Sequence, residues 1–173
     1  MTDYTLQNPP AEAEKAKRPK LRPVRMQKTR AHLEGVATLE KLCFSSPWSA
    51  SSLELLTNDG IGVGYLLAAP AVPNADPSVM AYGGMLITVD EGQITNIAVH
   101  PDHRREGYGT AITRALLRHA KDARLESVSL EVRVSNTAAI ELYKKVGFTE
   151  AGRRKGFYAK PTEDALVMVY TIK

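Results

Sequence analysis

Cysteine is nearly absent. The single one, Cys43, excludes an internal disulfide and leaves no set of thiolates for a zinc ribbon. Set between Leu42 and Phe44, it reads as a buried, inert thiol. Long apolar runs are missing as well. The greasiest stretch, from Ile61 to Val72, is interrupted by Gly62, Gly64 and Pro70 and falls short of the ~20 residues that a helical membrane span requires. Near the N-terminus, charges and prolines fill positions 9 to 23, so the apolar segment and small-residue cleavage site of a secretory signal are lacking. A cytoplasmic protein without a membrane partner is the expectation. No Gly-Lys-Ser or Gly-Lys-Thr occurs, and no glycine set has the dinucleotide-binding spacing, which removes two common nucleotide-binding designs.

What is present describes one ordinary globular unit. Of 173 residues, 43% are hydrophobic and 24% charged, enough for a single core and too few residues for two. The net charge of +4 is unevenly placed: residues 1–30 hold eight Lys/Arg against three Asp/Glu, and residues 31–173 hold 15 against 16. Basicity therefore belongs to the N-terminal segment. Residues 1–20, with AEAEKAKRPK at their end, have little to bury and are expected to form a flexible basic tail ahead of one domain over 21–173. Electrostatic contact with RNA or a ribosome is a second use for such a tail, and the only nucleic-acid role the charge supports.

Periodicity alternates between strand and helix from Leu21 onward. LRPVRM reads as a short strand that Pro23 confines to an edge. Leu33, Val36, Ala37, Leu39, Glu40 and Cys43 fall close to helical spacing over 29–43, and Ser49 or Ser51 caps a second, short helix through Leu56. Strands are expected at Gly62–Ala69 and Val79–Val89, separated by a proline-rich loop over 70–78. Gly83-Gly84 marks a bulge or a close approach, and Asp90-Glu91-Gly92 a tight turn into a strand over Gln93–Val99. Residues 107–124 place Ile112, Ala115, Leu116, His119, Ala120 and Ala123 on one helical stripe. VSLEVRV at 128–134 alternates strictly, with Glu131 on its polar side. A helix capped by Ser135, Asn136 or Thr137 carries Ala139, Leu142, Tyr143 and Val146 and stops at Gly147; Asp164–Thr171 alternates again. The fold class is α/β in the α+β sense: a mixed, mostly antiparallel central sheet flanked by about four helices.

The densest chemical signal is Arg104-Arg105-Glu106-Gly107-Tyr108-Gly109-Thr110, between a strand and a helix. Glycines there let backbone N–H groups converge, and a helix N-terminus adds partial positive charge, the ingredients of a pyrophosphate site; a strand-to-helix turn also needs glycine for purely conformational reasons. His100, Asp102 and His103 share one loop with no helix to fix a common face, so no metal is expected. His119, on the inner stripe, reads as a satisfied core histidine. Trp48, the only tryptophan, is either a buried staple or a wall of an acceptor groove. Asp90, Glu91, Glu163 and Asp164 are either turn acids or attractors for a basic peptide.

Four segments in order, Ile94 to Pro101, Arg-x-x-Gly-x-Gly at 104–109, Leu130 to Asn136, and Leu142-Tyr143 with Val146-Gly147-Phe148, resemble the acetyl-CoA-binding core of the GCN5-related N-acetyltransferases. Phe44 to Ser49, Asp90-Glu91, Arg154 to Tyr158 and Glu163 to Leu166 are further similar to the RimI type, the ribosomal-protein alanine N-acetyltransferases. The likeness spans about residues 21–171. It implies acetyl-CoA as co-substrate, with no metal, and a protein N-terminus, that of a ribosomal protein, as acceptor. It implies that the backbone of Ile97, Ala98 and Val99 pairs with the pantetheine arm, that the N–H groups of Arg105, Glu106, Gly107, Tyr108, Gly109 and Thr110 cradle the pyrophosphate, and that Asn136 touches the arm. By the same likeness Glu131 is the catalytic proton acceptor and Tyr143 the proton donor. Arg104 stands where many members have Gln, and Phe157 replaces a Tyr of relatives.

The chemistry accommodates both roles. A peptide α-amine with a pKa of ~7.7 to 8.0 loses its proton readily to a carboxylate, and a tyrosine near 10 can protonate a departing thiolate near 8.5. Glu131 is otherwise a solvated charge paired with Arg133 or Arg105, and Tyr143 a core tyrosine. Direct attack is preferred to a covalent route because Cys43 is expected to sit far from every cofactor motif. The competing functions are transfer to another amine (internal lysine, polyamine or antibiotic), a non-catalytic CoA- or ribosome-binding module, and, lacking Lys and Mg²⁺ ligands, a nucleotide enzyme.

Overall fold

The computed structural model describes residues 21–69 and 78–173. The N-terminal tail and most of the expected loop over 70–78 lie outside the described residues.

Among these, seven strands form one sheet in the order β1-β2-β3-β4-β5-β7-β6. The strands are β1 (Val24–Arg25), β2 (Gly62–Ala68), β3 (Val79–Thr88), β4 (Glu91–Val99), β5 (Ser127–Arg133), β6 (Thr149–Ala159) and β7 (Thr162–Thr171). All neighbours pair antiparallel except β4 with β5. The LRPVRM strand shrinks to two edge residues beyond Pro23, which has no N–H to give the ladder. The β3–β4 turn falls at Val89 and Asp90 rather than at Asp90 to Gly92, because Thr88 already pairs with Glu91.

Helices α1 (Arg30–Cys43) and α2 (Ala50–Glu54) cover one face, and α3 (Tyr108–Asp122) and α4 (Thr137–Val146) the other. Thr29, Ser49 and Asn136 cap α1, α2 and α4, each accepting a backbone N–H of the first turn. Both layers close on the sheet at one place. A Cβ on Gly83 would lie 2.6 Å from Ile112 of α3, and one on Gly84 would collide with Leu56 beyond α2. Glycine is needed at both for close approach, and the register shift predicted here is also present: between the pairs Met85–Ile94 and Gly84–Asn96, β4 carries the extra residue Thr95.

On the α3 side, Ile112 and Leu116 pack with Leu130, Tyr143, Phe148 and Met168; on the α1 side, Val36, Leu39, Leu53 and Leu56 pack around Tyr82. His119 is not a core histidine. It is only partly buried, near Tyr65 at the rim of a cavity that Arg25 and Asp59 also line, and Ala123 ends its helix in solvent.

α4 ends in a Schellman motif. Gly147, at φ +108°, donates to Lys144 O at 3.1 Å, and Phe148 N–H donates to Tyr143 O at 3.0 Å. Rings of Tyr143 and Phe148 then pack at 5.8 Å, so the stop signal of the helix also fixes the tyrosine.

Candidate active site

β4 and β5 pair only from Glu91–Ser127 to Ile94–Leu130, although β4 runs on to Val99 and β5 to Arg133. The two strands part at the bulge. Thr95 re-aims β4, while β5 continues its register with β7 through Arg133–Ala165. The result is an open gap in the middle of the sheet.

The polar edge of that gap follows from the ladder. His100 N–H donates to Met80 O at 2.8 Å, so by antiparallel alternation Ala98 exchanges its bonds with Tyr82. The N–H and C=O groups of Ile97 and Val99 therefore face the gap, and those of Ala98 face β3. Val99 O is approached by Arg104 Nε at 3.4 Å and by Cys43 Sγ at 3.6 Å. This corrects the expectation that Cys43 lies far from the cofactor motifs: the end of α1 meets the end of β4 across a separation of 56 residues in sequence. Burial, the largest influence on it, raises the Cys43 thiol above its ordinary pKa.

At the far end of β4 the chain makes a 3₁₀ turn over Pro101–His103 and enters α3 through two left-handed residues, Arg105 at φ +68° and Gly107 at φ +85°. Arg105 bears a strain of ~1–2 kcal/mol there. No side chain caps α3, and its first ladder bond runs from Ala111 N–H to Gly107 O at 3.0 Å, so the amides of the first turn, through Thr110, point out of the helix end. A Cβ on Gly107 would meet nothing within 4 Å, whereas one on Gly109 would lie 3.0 Å from Leu142 and 3.6 Å from Val99. Gly109 thus seats α3 against α4 and β4, and the space before Gly107 is open to an anion such as a pyrophosphate. Asn136, the α4 cap, spends its Oδ1 on Ala139 N–H at 3.2 Å, which leaves its amide N–H₂ for a ligand. Among the described residues, no three His, Cys, Asp or Glu side chains converge as a metal site.

Glu131 and Tyr143 lie on opposite faces of the sheet. Val128, Leu130 and Val132 point into the α3–α4 core with Tyr143, and the alternate residues Ser129, Glu131 and Arg133 point the other way. The Glu131 side chain is 14% exposed; it accepts from Arg154 at 2.8 Å and from Gln93 at 3.3 Å. Neither expected partner holds it: Arg133 is bound to Glu163 at 2.9 Å and to the carbonyls of Lys160 and Pro161. Tyr143 is 8% exposed, and burial, followed by the neighbouring Tyr158, raises its pKa above that of an ordinary tyrosine.

Two segments roof the Glu131 face. Ser45, between α1 and α2, donates to Lys160 O in the β6–β7 turn at 3.2 Å. Phe157 lies under the Arg154 guanidinium at 4.5 Å, and Tyr158 under that of Arg133 at 4.1 Å while its hydroxyl donates to Glu131 O at 3.3 Å. Glu163 and Asp164 are tied to Arg133, Ser135 N–H, Arg153 and Gly156 N–H. Hydrogen bonds from Ser135, then Arg133, hold the Glu163 carboxyl below the usual range. Asp90 and Glu91 do not join them. Asp90, in the β3–β4 turn, and Glu91, the first residue of β4, lie at the opposite end from the gap, where Asp90 O accepts from Glu126 N–H.

The acetyltransferase (GNAT) family model matches residues 33–148. The chain belongs to this family. A protein of Bacillus subtilis strain 168, provisionally named a ribosomal protein bS18-alanine N-acetyltransferase, is 38% identical over 142 residues, 81% of this chain and 89% of that protein. The ribosomal protein bS18-alanine N-acetyltransferase of Salmonella typhimurium strain LT2 is 38% identical over 100 residues, 57% of this chain and 68% of that protein. The crystal structure of the ribosomal-protein-S18-alanine N-acetyltransferase from Escherichia coli superimposes with a TM-score of 0.73 at 28% identity, covering 87% of this chain and 94% of that one. Arabidopsis thaliana NAA60, solved in complex with acetyl-CoA, shares the fold with a TM-score of 0.76 at 18% identity over 87% of this chain and 99% of its own. The sheet and helices are thus the GNAT acetyltransferase fold, and the protein is an acetyl-CoA-dependent N-acetyltransferase of the RimI type. Arg154, Tyr158, Gln93 and the buried Glu40 are the polar residues whose place at this acetyltransferase site residue periodicity left unassigned. For Glu40, the signal was a carboxylate on an otherwise apolar helix stripe.

Proposed function

We propose that this acetyltransferase modifies the N-terminal α-amine of a protein, an alanine of a small-subunit ribosomal protein, by direct attack on the bound thioester. The observation that carries this reading is the placement of the Glu131 carboxylate on the face of the gap roofed by the α1–α2 loop and the β6–β7 turn, away from the α3 N-terminus. An extended peptide end entering there meets the carboxylate first. The names and identities of the bacterial relatives favour the ribosomal protein.

Acetyl-CoA supplies an activated acyl group. In this reading the amides of Arg105 to Thr110 hold its pyrophosphate, and Ile97 and Val99 present main-chain groups to its pantetheine arm. Glu131 accepts the proton of the α-ammonium, directly or through one water, and Tyr143, kept protonated by burial, supplies the proton that the departing thiolate takes up. Direct transfer is supported by the state of Cys43, whose thiol is engaged with Val99 O and held protonated by burial.

The test uses three synthetic peptides carrying the bS18 N-terminal sequence: with a free N-terminus, with a blocked one, and blocked with an internal lysine. Mass spectrometry is expected to find acetyl only on the first. Acetyl on lysine of the blocked peptide overturns the α-amine assignment.

A further inference from the structure

Glu40 is a carboxylate in the last turn of α1 with no exposed surface at all, and the transfer chemistry leaves it unused. Its Oε1 accepts from the Tyr82 hydroxyl on β3 and from Asn96 Nδ2 at 2.7 Å. Its Oε2 accepts the backbone N–H of Trp48 at 2.7 Å. Burying a carboxylate is costly unless donors surround it, and here they come from three different elements. Their positions are specific. Asn96 follows the bulge residue Thr95, where β4 swings away from β5, and Trp48 lies in the loop whose Ser45 reaches the β6–β7 turn. One side chain therefore joins the strand that opens the gap to the loop that roofs its acceptor face. Nonspecific packing does not account for this, because a leucine would fill the volume without gripping a loop amide.

We propose that Glu40 is a positioning residue that sets the Phe44–Ser49 loop over the acceptor face by binding the Trp48 amide while anchored on Asn96 and Tyr82. The assignment of that loop to the acceptor rests on the α-amine reading above. In the reading above the cofactor is held by main-chain groups of β4 and of the α3 N-terminus, not by groups of this loop.

Trp48 is the only tryptophan, so its fluorescence reports this loop alone. Three proteins are compared: wild type, Glu40→Gln and Tyr82→Phe. Glu40→Gln keeps the shape but places an amide N–H₂ where a donor was received; Tyr82→Phe removes one donor and leaves the Trp48 bond. In Glu40→Gln, acrylamide quenching of Trp48 is expected to rise by about twofold or more and the acceptor KM by about tenfold. CoA affinity by calorimetry and kcat stay within about threefold of wild type. In Tyr82→Phe, quenching and acceptor KM stay within about twofold.

Unchanged quenching in a folded Glu40→Gln overturns the proposal, and so does an equal response of the two variants, which marks a contribution to core stability alone. Should Glu40→Gln not fold, hydrogen exchange on the wild type decides: the Trp48 amide must exchange more slowly than those of Ser45 and Ser46, and equal rates overturn the assignment. A wild type that leaves the free-amine peptide unmodified removes the substrate reading by itself, and the Trp48 comparison still settles the role of Glu40.

Discussion

Arg154 holds Glu131 by a 2.8 Å ion pair from an exposed strand, so the candidate proton acceptor already carries a cation where the α-ammonium of a substrate must arrive. Arg154 is 56% exposed and Glu131 14%, and pairs of this kind contribute ~0–1 kcal/mol. The incoming ammonium can displace such a partner. Arg154→Gln is expected to leave the thermal midpoint nearly unchanged and to lower the acceptor KM about two- to fivefold, since the competing cation is gone. A raised KM in steady-state peptide acetylation would show instead that Arg154 binds the acceptor.

Glu131→Gln keeps the Arg154 and Gln93 contacts within reach of an amide and removes the proton acceptor. Turnover in a coupled thiol-release assay is expected to fall by about 10²–10⁴ with CoA affinity by calorimetry unaltered. Unchanged turnover refutes the role.

Tyr143→Phe removes only a hydroxyl from a side chain whose ring is fixed by Phe148 and the Gly147 stop. The expected result is a fall in kcat of about 10²-fold, a midpoint near that of wild type and an unmoved acceptor KM. Because burial places the Tyr143 pKa above the ordinary 10, the wild-type rate has no alkaline loss from this group up to about pH 10. A midpoint drop with kcat retained would mark Tyr143 as a core residue only.

Folding stability should be pH-dependent at the alkaline end. Burial raises both Tyr82 and Tyr143, and the Glu40 charge adds to the first. Their folded pKa values lie above those of the unfolded chain, so their contribution is complete below about pH 10 and lost above it, as the unfolded tyrosines release protons that the folded ones keep. Each tyrosine removes up to ~1.4 kcal/mol per pH unit. Urea midpoints measured between pH 9 and 11 should fall, and less steeply in Tyr82→Phe. A flat profile contradicts the burial argument.

Gly107→Ala imposes a side chain on a left-handed residue whose surroundings are otherwise open. The strain of ~1 kcal/mol is relieved when the turn relaxes and must be met again to hold the pyrophosphate, so CoA should bind about fivefold more weakly by calorimetry. Equal affinity would place the pyrophosphate elsewhere.

Much of the fold is local in origin, which is why periodicity located it. The stripe of α3, the alternation of β5 and the Asn136 and Gly147 signals around α4 depend on neighbours within a turn or two, and so do the left-handed residues that open the α3 N-terminus. The candidate site divides differently. Glu131 was legible on the polar side of its strand and Tyr143 on the apolar stripe of its helix, but Arg154 as the Glu131 partner, Cys43 beside Val99, and Asp90 with Glu91 at the end away from the gap were not.

By itself, then, the sequence determined the order of elements, the family, and the glycine turn that an anion can approach, because each is written in spacing along the chain. Only the tertiary structure decided where β4 parts from β5 and which charges meet there. Those depend on a one-residue excess at Thr95 and on pairings between segments dozens of residues apart, whose energies are set by register and burial and leave no periodic trace.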